Sequence, residues 1–205
     1  MTPEHHNSTV VHLDLSIKPD RLPLFSHLLG GGFLVETRTG ISVRNLLCRQ
    51  IGVSDAYLDQ RIQTIFLNGK VVDNVDTAIV INGAVLALSA AMPGLAGATL
   101  RRGGVYAAMR KEISHHNITL NDSPGNGSVT IKLFNFVALE LGAIFLGQGI
   151  LINGTQVNFF FQNVREFFWD GCHVVKIDGI SQDAQEILRM KWGQQQVFLK
   201  LEFKE

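Results

Sequence analysis

The chain has 205 residues, 46% hydrophobic and 18% charged, and its 18 basic and 18 acidic side chains cancel to a formal net charge of zero. That composition belongs to a globular protein, and the missing basic excess argues against nucleic acid or an acidic membrane surface as a partner. Only Cys48 and Cys172 occur, giving neither a disulfide framework nor a CxxC motif, and the polar start MTPEHHNSTVVHLDL is unlike a signal peptide, so a cytoplasmic location is expected.

Val10 to Ile17 alternates as a strand does, with Val11, Leu13, Leu15 and Ile17 on one face. A loop holding Pro19, Pro23 and Gly30 to Gly32 leads to a return strand from Phe33. Ser42 is placed to cap a short helix, SVRNLLCRQIG. Within it Val43, Leu46, Leu47 and Ile51 keep helical spacing and Gly52 occupies the C-terminal cap. IQTIFLNGKVV follows with an Asn68-Gly69 hairpin turn, and AVLALSAAM from Ala84 is a further strand. This order, β-β-α-β-β, is that of the β-grasp fold, in which one helix crosses a mixed sheet.

The segments ISVRNLLCRQIGV, FLNGKVV and NGAVLALSAAMPGLAGA, within residues 33 to 98, resemble the ubiquitin-like sulfur carriers. These are the small subunit of molybdopterin synthase and the thiamine-biosynthesis carrier. The resemblance implies a ubiquitin-like fold. In those carriers the last Gly-Gly is the chain terminus, whose carboxylate is adenylated and converted to a thiocarboxylate. The matching place here is Gly97-Ala98 in mid-sequence, and Asn82-Gly83 stands where the family has Gly-Asp.

Val105 to Ile113 predicts a short helix, and SHHNITLNDSPGNGS after it is rich in turn formers. The expected organisation is therefore α+β: a β-grasp unit over residues 1–113, a linker over 114–128 and a Phe-rich α/β unit over 129–205. In the second unit VTIKLF is a strand, FNFVALELGAIFLGQG a helix, and ILINGTQV a strand with a turn or a tight hairpin. TQVNFFFQNVREFFWD predicts one helix capped by Thr155. HVVKIDG is a strand, AQEILRMKW a helix capped by Ser181, and QVFLKLEFKE a closing strand. The uncharged run Ala78 to Leu100 is broken by Asn82-Gly83 and Pro93-Gly94. Phe136 to Ile152 carries Glu140, Gln148 and three glycines, and neither run reads as a membrane span.

Several places in the sequence are candidates for chemistry. In GLAGATLRRGG the backbone of Gly97, Gly103 and Gly104 together with Arg101 and Arg102 forms an anion-binding candidate, although neither the P-loop nor the dinucleotide spacing is met. The alternative is a turn with solvated arginines, and a third reading is a carrier tail freed by cleavage after Gly104. The pairs His5-His6 and His115-His116 lack metal-motif spacing, and Cys172-His173 in a strand face opposite ways, so no metal, cofactor or catalytic residue is assigned. Glu140, inside an apolar run, needs a partner if buried.

Ten of the 13 phenylalanines follow residue 130, and Phe159, Phe160, Phe161, Phe167 and Phe168 cover most of one helix's circumference. They require a second layer, a subunit partner or an apolar ligand. Phe160, Phe161, Val164, Phe168 and Trp169 are the interface candidates for a homo-oligomer or a protein partner. The expected function is that of a non-catalytic binding or scaffold module. An enzyme or binding protein for a small anion at the Gly/Arg loop is the alternative.

Overall fold

The structure, a computed structural model, describes residues 10–110, 114–115 and 124–205. Of the turn-rich segment SHHNITLNDSPGNGS, residues 116–123 lie outside the described residues, as do both His5-His6 and the end of the helix expected to reach Ile113.

In chain order, β1 (Val11–Ile17) turns Leu13, Leu15 and Ile17 inward, as its alternation requires. The loop after it is ordered as a 3-10 segment (Pro19–Phe25) and α1 (Ser26–Gly31). β2 (Phe33–Thr39) and β3 (Ile41–Ser42) follow. The Ser42 hydroxyl then accepts the Asn45 N–H at 3.2 Å and opens a helix, Asn45–Ile51, with π-type hydrogen bonds. Gly52, in the left-handed region, closes it by donating its N–H to the Leu47 carbonyl. The sequence reading lacked α2 (Asp55–Gln60), whose cap is Ser54 accepting from the Tyr57 N–H.

β4 (Thr64–Leu67) and β5 (Lys70–Val71) are joined by Asn68 and Gly69, both with positive φ, as the two-residue turn demands. Next come β6 (Ile79–Val80), β7 (Val85–Ser89), α3 (Gly94–Leu100) and a 3-10 turn (Val105–Arg110). β8 (Gly125–Phe134) leads directly into α4 (Asn135–Gln148). β9 (Ile150–Asn153) and α5 (Gly154–Asn163) follow. The cap of α5 is Asn153 rather than Thr155: its side chain accepts the Gln156 N–H while Gln156 reciprocates. The expected single aromatic helix is two, because Val164 and Arg165 are extended before α6 (Glu166–Asp170) begins. β10 (Cys172–Ile177), β11 (Ile180–Ser181), α7 (Ala184–Arg189) and β12 (Gln196–Phe203) complete the chain. Ser181 thus lies in a strand and does not cap α7.

The protein is mixed α/β and divides into two compact units: a terminal unit, Met1–Phe25 with Leu146–Glu205, and a central unit, Ser26–Phe145. This division differs from the expected split along the chain, because strand pairing joins distant segments. In the terminal unit the strand order is β11-β10-β1-β12-β9, with β1 parallel to β12 and antiparallel to β10. In the central unit it is β2-β8-β7-β4-β5, with β8 antiparallel to β2 and parallel to β7. β3 and β6 form a separate ribbon. The expected hairpin between the first strand and Phe33–Thr39 is not formed: β2 pairs residue by residue with β8, from Phe33↔Ile131 to Thr39↔Gly125. Residues 125–128, expected in a linker, are therefore paired strand. Among the described residues no helix is long and apolar enough to cross a membrane.

Candidate functional site

The Gly/Arg loop of the central unit is closely tied down. Gly97 is buried in α3, where an added Cβ would lie 1.8 Å from the Met92 carbonyl oxygen, so only glycine fits. The Arg102 N–H donates to the Gln63 carbonyl at 2.8 Å. Its guanidinium turns inward, Nη2 donating to the carbonyls of Leu58 at 3.1 Å and Asp59 at 3.3 Å. Burial pulls the pKa of this group down, against the attraction of Asp59. Asp59 is shared with Arg44, which also reaches Asp55 and Asp76, and these carboxylates hold the Arg44 proton firmly.

Arg110 closes the loop from below. It is 3% exposed, grips Asp73 through two nitrogens at 2.9 and 2.6 Å, and donates to the carbonyls of Thr99 and Arg101. The Gly103 N–H donates to Asp73 and the Gly104 N–H to the Arg101 carbonyl. The N–H groups of Gly103 and Gly104 are thus already engaged, and Arg101 is the exposed cation of the Arg101–Arg102 pair. LRRGG has the geometry of an internal turn.

The aromatic candidates come together, but inside the terminal unit. Phe160, Phe161 and Phe168 are buried. Phe25 stacks on Phe160 at 4.5 Å, Phe168 meets Phe160 edge-on at 5.6 Å, and Trp169 stacks on Phe161 at 5.7 Å. Val164 is half-buried at the break between α5 and α6. Phe159 and Phe167 are the exposed rings of this segment, and the Arg21 guanidinium lies 3.4 Å over the second.

A groove that the sequence did not reveal lies in the central unit. β7 and β8 run parallel and end in register at Ser89 and Phe134. Beyond their carboxyl ends is an open, mainly apolar groove of about 820 Å³, lined by Ser26, His27, Pro93, Phe134, Phe136 and Leu139 among others. Phe134, Phe136 and Leu139 are partly exposed there, Phe136 by 63%. Asn135 between the two rings has φ +54 and donates from Nδ2 to the Ser89 hydroxyl at 2.9 Å. Asparagine enters the left-handed region more readily than most residues, which suits it to this abrupt strand-to-helix junction. The signal in the sequence is FNF, at the start of the segment expected to be helical.

The cysteines and Glu140 have quiet surroundings. Burial pushes both thiols up to about 11, Cys48 with Asp55 beside it, so both stay protonated at neutral pH. Glu140 accepts the Tyr57 hydroxyl at 2.6 Å and pairs with Arg61, which holds its carboxyl below the usual range and ties α4 to α2. Among the described residues no three His, Cys, Asp or Glu side chains converge on a metal position. Compared with known protein families, curated proteins and solved structures, the chain matches none.

Proposed function

We propose that the protein is a non-catalytic binding module, sulfur-carrier-like in its central sheet, whose groove beyond β7 and β8 takes a small apolar molecule. The observation that carries this is the groove itself. Its volume of about 820 Å³ falls in the range of ligand pockets, roughly 300–1,000 Å³. Its place outside the carboxyl ends of neighbouring parallel strands is where open α/β sheets bind ligands. The exposed Phe134 and Phe136 supply flat apolar walls, and Asn135, Ser26 and His27 supply a few polar groups.

The β-grasp reading draws support from strand order. A β-grasp sheet sets its first strand between the second and the last, antiparallel to one and parallel to the other. β8 has those two relations to β2 and β7, and the Asn68-Gly69 hairpin follows the helices as expected. The strand in the first strand's place, β8, comes after β7 in the chain, a circular permutation of that plan. In a carrier the reactive tail would follow β7. Here α3 and the engaged Gly/Arg turn follow it instead, which favours binding over carriage.

A fluorescence titration with 1-anilinonaphthalene-8-sulfonate tests the groove. Saturable binding of one dye per chain is expected, weakened about tenfold by Phe136→Ala because one ring wall is lost. The melting temperature stays unchanged, since Phe136 is mostly exposed. Absent binding, or binding indifferent to Phe136→Ala, rejects the reading.

A further inference from the structure

The polar face of the terminal unit's sheet holds a second recess that the groove reading does not use. Alternation along β1 sends Leu13, Leu15 and Ile17 into the core and therefore Asp14 and Ser16 to the opposite face. Register then sets Lys176 of β10 and Lys200 of β12 on either side of Asp14, and Ser181 of β11 beyond Lys176. One step along, Ser16 lies between Val174 and Glu202, and Glu202 pairs with Lys204 at 3.0 Å. These side chains and Gly147 line a cleft of about 660 Å³.

Ser16 gives the cleft more than surface charge. It is only 4% exposed, it lines the cleft, and its hydroxyl has no hydrogen-bond partner among the described residues. A buried hydroxyl left unmade is costly, and a ligand oxygen would satisfy it. Three ammonium groups against two carboxylates leave one positive charge in surplus, which one ligand carboxylate balances. Asp14, between two lysines, accepts hydrogen bonds only, so it favours a ligand that also carries a donor.

We propose that this cleft binds a small organic acid bearing one carboxylate and an adjacent hydroxyl or amino group. The carboxylate sits between Lys200, Lys176 and the Ser16 hydroxyl, and the donor faces Asp14. A phosphate dianion would overbalance the surplus by one negative charge.

The test is a titration of the isotope-labelled full chain at low salt, followed by amide shifts, with lactate as probe and propionate and inorganic phosphate as comparators. Lactate is expected to shift the Ser16, Lys176 and Lys200 amides saturably and more tightly than propionate. Lys200→Ala is expected to weaken lactate about tenfold, as loss of a charge-assisted contact does. Gly147→Phe is expected to block it, and it is a second, structurally separate variant: among the described residues nothing lies within 4 Å of a Cβ added there. Should Lys200→Ala lose the native spectrum, the Gly147→Phe result decides. No shift at these amides, equal responses to phosphate and lactate, or an affinity unmoved by Gly147→Phe would each overturn the proposal.

Discussion

Arg110 and Asp73 are 37 residues apart, and nothing in the spacing of charges points from one to the other. The sequence drew attention to Arg101 and Arg102, whose neighbours are glycines, while the deeply buried cation of the loop is Arg110. A guanidinium sealed from water needs a fixed carboxylate, and which carboxylate arrives is decided by the fold. Burial alone would raise the Asp73 pKa, but hydrogen bonds from Arg110 and Gly103 and the nearby positive charges outweigh it and hold the carboxyl low. Its contribution to stability is therefore fully present above the unfolded value of about 3.9 and disappears as the pH falls through the lower folded value. Asp73→Asn strands the Arg110 charge. The expected cost at neutral pH is at the low end of the roughly 3–5 kcal/mol for a broken buried pair, since Asp73 itself is partly exposed. Urea unfolding of both proteins checks this, and the gap between them should narrow below pH 4. A gap that stays constant into acid would show that Asp73 is not the partner that matters.

Secondary structure was legible wherever one local rule governed it. The alternation of β1 and β12, the Asn68-Gly69 turn and the Gly52 cap all appear where periodicity and turn chemistry put them. The aromatic segment misled because hydrophobic spacing continues across Val164 and Arg165, although the backbone there is extended. The break turns Phe168 onto Phe160 and Phe25, so rings that crowd a single helix in sequence occupy two layers in space. Asn153 outcompetes Thr155 as cap because Gln156, three residues on, can return the hydrogen bond. Asn153→Ala is expected to cost about 1 kcal/mol and Phe160→Ala about 3–5 kcal/mol in chemical denaturation. An unchanged particle mass in Phe160→Ala by light scattering accords with a core role. A fall in mass without loss of stability would restore Phe160 to an interface between copies.

At the scale of the molecule, strand partnership is the property that the sequence concealed, because pairing is chosen by topology and not by neighbours in the chain. β1 fits any hairpin partner by pattern, yet it lies between β10 and β12, more than 150 residues downstream. The groove was invisible for the same reason: it exists only once β8 returns beside β7. A fragment of residues 129–205, the second unit suggested by composition, therefore lacks the central strand of its own sheet. It exposes the facing edges of β10 and β12 and loses the burial of Leu13, Leu15 and Ile17, each contributing about 1.5–3 kcal/mol. That total is comparable to the whole stability of a small domain, about 5–15 kcal/mol. The fragment is expected to show no cooperative thermal transition and a narrow range of amide shifts. A synthetic peptide covering residues 10–25, which restores β1 and Phe25, is expected to induce dispersed shifts at β10 and β12 in trans. A sharp melt of the 129–205 fragment by itself would mean that β1 is dispensable and that the units divide along the chain after all.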